Sequence, residues 1–187
     1  MIRRLLHIER IKLFNYIPFR ISLIIYVVAL TLGLVIYPAI DKQIPLISIS
    51  DVFQFPHVWG FLTWVTEPYN VLLALVIIMI TAKEFGDRTF KTQIIFGLSR
   101  TDLFRQKLTL ILVMSLFATL MVALLSFSLG VIHNEERVLT FKIISENLWK
   151  LLSYFLSAFS LMTIGMFVSL LVKNIALSIV TFLLTCF

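Results

Sequence analysis

Four apolar runs constrain this chain more than anything else in it: residues 19–37, 58–82, 108–132 and 148–172. A helix crossing a bilayer needs roughly 20 mostly apolar residues, because the hydrocarbon is about 30 Å thick and a helix rises about 1.5 Å per residue. Each run meets that requirement, which predicts an all-α, polytopic membrane fold with four full spans. A fifth run, residues 175–187, would rise only about 20 Å. It reads as part of a fifth span in a chain that stops inside the membrane, or as a re-entrant piece. Composition agrees: 60% of the residues are hydrophobic, 14% are charged and Phe occurs 17 times. A water-soluble fold of 187 residues could not hide that much apolar surface. No Pro/Gly/Ser linker and no repeat divides the sequence, so residues 1–187 read as a single transmembrane domain.

Orientation follows from the basic residues. With the N-terminus inside, interior segments hold Arg3, Arg4, Arg10, Lys12 and Arg20, then Lys83, Arg88, Lys91, Arg100, Arg105 and Lys107, then Lys173. Those are 12 of the 16 cations. Exterior segments hold only Lys42, Arg137, Lys142 and Lys150, accompanied by Asp41, Asp51, Glu135, Glu136 and Glu146. An excess of Lys and Arg marks the cytoplasmic side, so the N-terminus and the segment at 83–107 are expected in the cytosol. Trp59, Trp64 and Tyr69 then form an aromatic belt at the outer face of span 2, and Trp149 with Tyr154 does the same for span 4.

The net charge of +6 invites a nucleic-acid reading. The cations lie beside apolar walls rather than on one surface, however, which favours a membrane over a nucleic-acid partner. The single cysteine, Cys186, excludes an internal disulfide. The basic start "MIRRLLHIERIK" lacks a small-x-small cleavage site after the first apolar run, so that run reads as a retained span. Residues 1–18 read as an interfacial helix: Arg3, His7 and Arg10 share one face, while Ile2, Leu5, Leu6 and Leu13 share the other. Glu9 interrupts the apolar face, and a charged anchor preceding span 1 fits the same residues.

Inside the apolar runs, polar residues are few. Glu67, in "WVTEPYN", lies 16 residues before Lys83, or about 24 Å of helix rise, in the outer part of the hydrocarbon. Thr66 as a cap with Pro68 in the first turn predicts a helix start there. Glu67 either lines an outer substrate path or snorkels to headgroups beside a kink. Span 4 carries Ser153, Ser157, Ser160, Gly165 and Ser169. Small residues at this spacing permit close helix approach, and both intrachain packing and a homodimer contact fit it.

The cytoplasmic segment "TAKEFGDRTFKTQIIFGLSRTDLFRQK", residues 81–107, is more patterned than a simple loop requires. Phe90, Ile94, Ile95 and Leu98 share one helical side, away from Arg88, Lys91 and Thr92. Gly97 predicts a helix stop in the left-handed conformation. Ser99 with Asp102 three residues later predicts a capping box that restarts a helix running into span 3. This describes a short amphipathic helix lying on the membrane and hinged at Gly97. It suits a groove on a soluble partner, and an interfacial anchor with no partner fits equally.

These residues resemble the segment after the second span in permease subunits of type-two ABC exporters. In that family an acidic residue ends the span, a Gly-Thr-like turn follows, then a short coupling helix, then Ser-Arg and a Lys at the entrance to the third span. Glu84, Thr89, Ser99, Arg100 and Lys107 match by position, while Arg88 stands where the family has glycine. The N-terminal "HIERIKLFNY" is similar to the family's elbow helix. The resemblance implies a membrane permease subunit of an ATP-driven exporter in a bacterial inner membrane, paired with a second permease subunit. A separate ABC ATPase would dock on the coupling segment, here Glu84, Phe85, Arg88, Thr89, Phe90, Ile94, Ser99, Arg100 and Lys107. It also implies six spans, of which this chain would lack the end of the fifth and all of the sixth.

No glycine precedes a Lys-Ser or Lys-Thr pair, so the P-loop route to nucleotide is absent. ATP and Mg are then expected in the partner, with no cofactor, metal or catalytic residue in this chain. An intramembrane enzyme would need facing polar residues within spans, but His7, His57 and His133 fall outside them and Glu67 stands alone. A non-transporting membrane anchor or sensor, whose cytoplasmic helix binds another protein, is the alternative the sequence leaves open.

Overall fold

A computed structural model describes residues 17–41, 53–86, 93–95, 97, 99–132, 143 and 145–186. The helices are α1 (Ile17–Asp41), α2 (His57–Thr66), α3 (Asn70–Gly86), α4 (Arg100–Ile132), α5 (Trp149–Val172) and α6 (Ile175–Cys186). A 3-10 turn, Glu67–Tyr69, joins α2 to α3, and residues 93–95 are helical. No strand occurs among the described residues.

Three helical stretches are long and apolar enough to cross a membrane: His57–Gly86, Arg100–Ile132 and Trp149–Val172. The expected first span is a helix of 25 residues. The expected interfacial helix at 1–18 lies outside the described residues, apart from its last two positions at the start of α1. The expected partial fifth span corresponds to α6.

The surface of α4 has the character of a lipid-facing helix. Leu112, Leu116, Leu120, Leu124, Phe127 and Val131 are all exposed and recur every three to four residues. From Ser115 onward, the buried side of the same helix carries mostly small or hydroxyl-bearing residues, Ser115, Ala118, Val122 and Ser126. Large apolar groups outward and small groups inward is the arrangement expected where hydrocarbon is the solvent. The hydroxyl of the buried Ser126 donates to the Val122 carbonyl at 2.7 Å, so its proton is paired within the helix.

The described helices group into two compact units. The first contains residues up to Tyr26, 70–114 and 159–187. Its centre is α3, where Leu73, Ala74, Ile77, Ile78 and Thr81 are fully or almost fully buried. α6 packs on α3, burying Ser178 and Phe182. α5 approaches α3 closely at Gly165: a Cβ there would lie 3.2 Å from Ile78 Cγ1 and 3.3 Å from the Ala74 carbonyl oxygen. One turn on, the Ser169 hydroxyl donates to the Ile78 carbonyl at 3.3 Å. Gly165 and Ser169 thus serve intrachain packing, while Ser153 and Ser160 are exposed.

The second unit contains residues 27–69 and 115–158. An aromatic cluster organises it. Phe53 meets Phe61 edge-on at 5.4 Å, and Phe55 lies 5.6 Å from Trp59 and 6.1 Å from Phe127. Gly130 leaves the space that the Phe55 ring fills, since a Cβ there would sit 2.6 Å from ring carbons.

Candidate functional site

The expected coupling segment is bounded by two helix ends that the fold ties together. α3 runs past the predicted end of span 2 and stops at Gly86, leaving Glu84 in its last turn. α4 begins at Arg100, before the predicted start of span 3, because its first two turns are a capped helix rather than a loop. Across the gap, the Lys107 ammonium donates to Glu84 Oε1 at 2.8 Å, and both side chains are buried. Two opposite charges this close, removed from water and mutually bonded, form a clamp; either alone would be a costly buried ion. Sequence reasoning placed both residues at a partner surface. In the fold they bond each other inside the chain.

The start of α4 follows the predicted chemistry. The Ser99 hydroxyl accepts from the Asp102 backbone N–H at 3.2 Å and donates to Asp102 Oδ2 at 2.6 Å. Asp102 also sits in the first turn, where a carboxylate opposes the positive end of the helix dipole. Immediately before, Gly97 has φ of +90°, and its N–H donates to the Ile94 carbonyl at 3.0 Å, closing the turn after residues 93–95. Only glycine takes this conformation without steric cost.

Between these fixed ends, Ile94 is 44% and Ile95 is 82% exposed. Arg100 and Ser99 are exposed and Phe85 is half-buried. Arg88, Thr89 and Phe90 lie outside the described residues. A cavity of about 770 Å³ opens beside the segment, lined by Phe85, Ile94, Arg100, Phe104, Lys107 and Lys173 together with apolar side chains of α4 and α5.

In the second unit, Glu67 belongs to the 3-10 turn and not to a newly capped helix. The Thr66 hydroxyl, expected as a cap, donates backwards to the Leu62 carbonyl at 2.6 Å. Pro68 has no N–H to donate, so the helix tightens through one turn before α3 begins. Glu67 is exposed and accepts from the Ser157 hydroxyl at 2.8 Å. It lines a cavity of about 230 Å³ with Thr63, Trp64, Trp149, Lys150, Ser153 and Ser157. In the sequence Lys150 reads only as an outer charge and Ser157 only as a small packing residue. Their spacing at 150, 153 and 157 on one helix, opposite 60, 63 and 67 on another, was the available signal.

No group of three His, Cys, Asp or Glu residues able to hold a metal ion occurs among the described residues. No protein-family model matches the chain, and neither a curated protein nor a solved structure does.

Proposed function

We propose that the chain is the membrane permease subunit of an ATP-driven transporter, with a separate ABC ATPase gripping the segment between α3 and α4. The observation that carries this reading is the clamp at the segment's ends. Glu84 and Lys107 tie α3 to α4, while Ile94 and Ile95 stand exposed between them. A force applied at the isoleucines reaches both helices through a connection that resists separation. α4 is 33 residues long, about 50 Å of rise, so displacement of its first turn carries the length of a membrane crossing. The resemblance of residues 81–107 to the coupling segment of type-two ABC exporters points the same way. In this reading Ile94, Phe85, Ser99 and Arg100, with Arg88, Thr89 and Phe90, face the ATPase. Glu84 and Lys107 position that surface from behind. The N-terminus lies in the cytosol of a bacterial inner membrane, a second permease subunit completes the path, and nucleotide and Mg stay with the ATPase.

The test is co-purification with an ABC ATPase from the same cells. The parent chain retains it, and Ile94→Asp combined with Ile95→Asp loses it while still inserting in the membrane. Retention by the double variant removes the docking assignment. Capture of a protein that is not an ATPase favours the anchor or sensor reading instead.

A further inference from the structure

The cavity at Glu67 contains two opposite charges that do not satisfy each other. Glu67 and Lys150 line the same space of about 230 Å³, yet no ion pair joins them. The Glu67 carboxylate has one protein donor, Ser157, and therefore lone pairs to spare. The Lys150 ammonium has no hydrogen bond or ion pair among the described residues. The side chain lies across Gly60, where a Cβ would collide with Lys150 Nζ and approach Cδ to 2.9 Å. Any larger residue at position 60 would push the ammonium away. Trp64 and Trp149, 69% and 66% exposed, also line the cavity. At liquid density the space holds about eight waters, enough for a small polar group.

We propose that this cavity binds a zwitterion carrying an ammonium and an anionic group, of the phosphoethanolamine type. The ammonium meets Glu67 and the indole faces, which attract cations; the anion meets Lys150 and the hydroxyl of Ser153. A ligand of one sign leaves one of the two protein charges unmatched. The inference rests on the transport reading only for where the ligand goes. Binding is measured without an ATPase, so failure of docking and failure of this site are separate results.

The group comes either from a lipid or from a free solute, and two arms distinguish them. Tryptophan emission of the purified protein is followed while soluble phosphoethanolamine is added, and again in vesicles of phosphatidylethanolamine against vesicles of phosphatidylglycerol. A saturable shift with the soluble compound assigns a free zwitterion; a shift confined to phosphatidylethanolamine vesicles assigns the headgroup. In the responding arm, Glu67→Gln and Lys150→Gln each weaken binding about tenfold or more, the scale of one charge-assisted hydrogen bond. Lys150→Arg retains it. Gly60→Val weakens it while keeping both charges, and thermal unfolding identifies any variant that has lost its fold. Ethanolamine and inorganic phosphate, each bearing one half of the ligand, bind more weakly than phosphoethanolamine. No saturable shift in either arm, or a shift that folded Glu67→Gln and Lys150→Gln proteins keep undiminished, overturns the proposal.

Discussion

Lys107 and Glu84 are 23 residues apart and share a 2.8 Å hydrogen bond, with side chains 5% and 4% exposed. The bond joins the last turn of α3 to the third turn of α4, which makes these two helix ends one mechanical piece.

Breaking this pair from one side leaves an ion buried without its partner. Glu84→Gln or Lys107→Met alone is expected to destabilise the protein by about 3–5 kcal/mol, and the two together by clearly less than the sum. Unfolding of detergent-solubilised protein, carried through the full double-mutant cycle, measures the coupling. Additive costs would show that the two charges act independently.

The hinge before α4 has two separable parts. Ser99→Ala removes the acceptor for the Asp102 N–H and is expected to cost about 1 kcal/mol, whereas Ser99→Asp keeps most of the cap. Gly97→Ala has open space around its new methyl group but must hold φ of +90°, so its cost of about 1 kcal/mol comes from the backbone alone. Hydrogen exchange at Ile94–Leu103 reads both changes: faster exchange is expected near Asp102 for Ser99→Ala, and near Gly97 for Gly97→Ala.

What could be read from the residues, and what could not, divides by distance along the chain. The crossings at 58–82, 108–132 and 148–172 were visible because hydrophobicity accumulates locally, and the Ser99–Asp102 cap and the Gly97 turn are also local. The helix ends were less visible. α4 extends eight residues beyond the apolar run because a capped amphipathic turn continues a helix that hydropathy alone would end. Thr66 was misread because a threonine hydroxyl beside Pro68 can cap forward or bond back to its own helix, and here it bonds to Leu62. The pairing of Glu84 with Lys107 and of Glu67 with Ser157 joins residues 23 and 90 positions apart, and no periodicity links those. Glu67 stood out as a carboxylate at membrane depth and Glu84 as a match to the coupling segment, but their partners required the fold.

Gly165 offers a last test, because its small size fits either a helix inside this chain or a second copy of it. In the fold its position is filled from within: Ile78 Cγ1 and the Ala74 carbonyl both lie within 3.3 Å of where a Cβ would stand. Alanine needs a shift of a few tenths of an ångström, which the flexible Ile78 side chain can give more easily than the Ala74 backbone. Leucine must push α5 off α3, an overpacking cost of about 1–3 kcal/mol, and it would also stretch the Ser169–Ile78 bond one turn away. The expected result is a graded loss of unfolding stability, Ala smaller than Leu, with the oligomeric state in detergent unchanged. A surface that met a second chain would behave the other way, with Leu shifting the protein towards monomer while its unfolding stability as a monomer stayed the same. Sedimentation and unfolding measured on the same three proteins therefore separate an intrachain seam from a dimer contact, and the close approach to Ala74 and Ile78 requires the first.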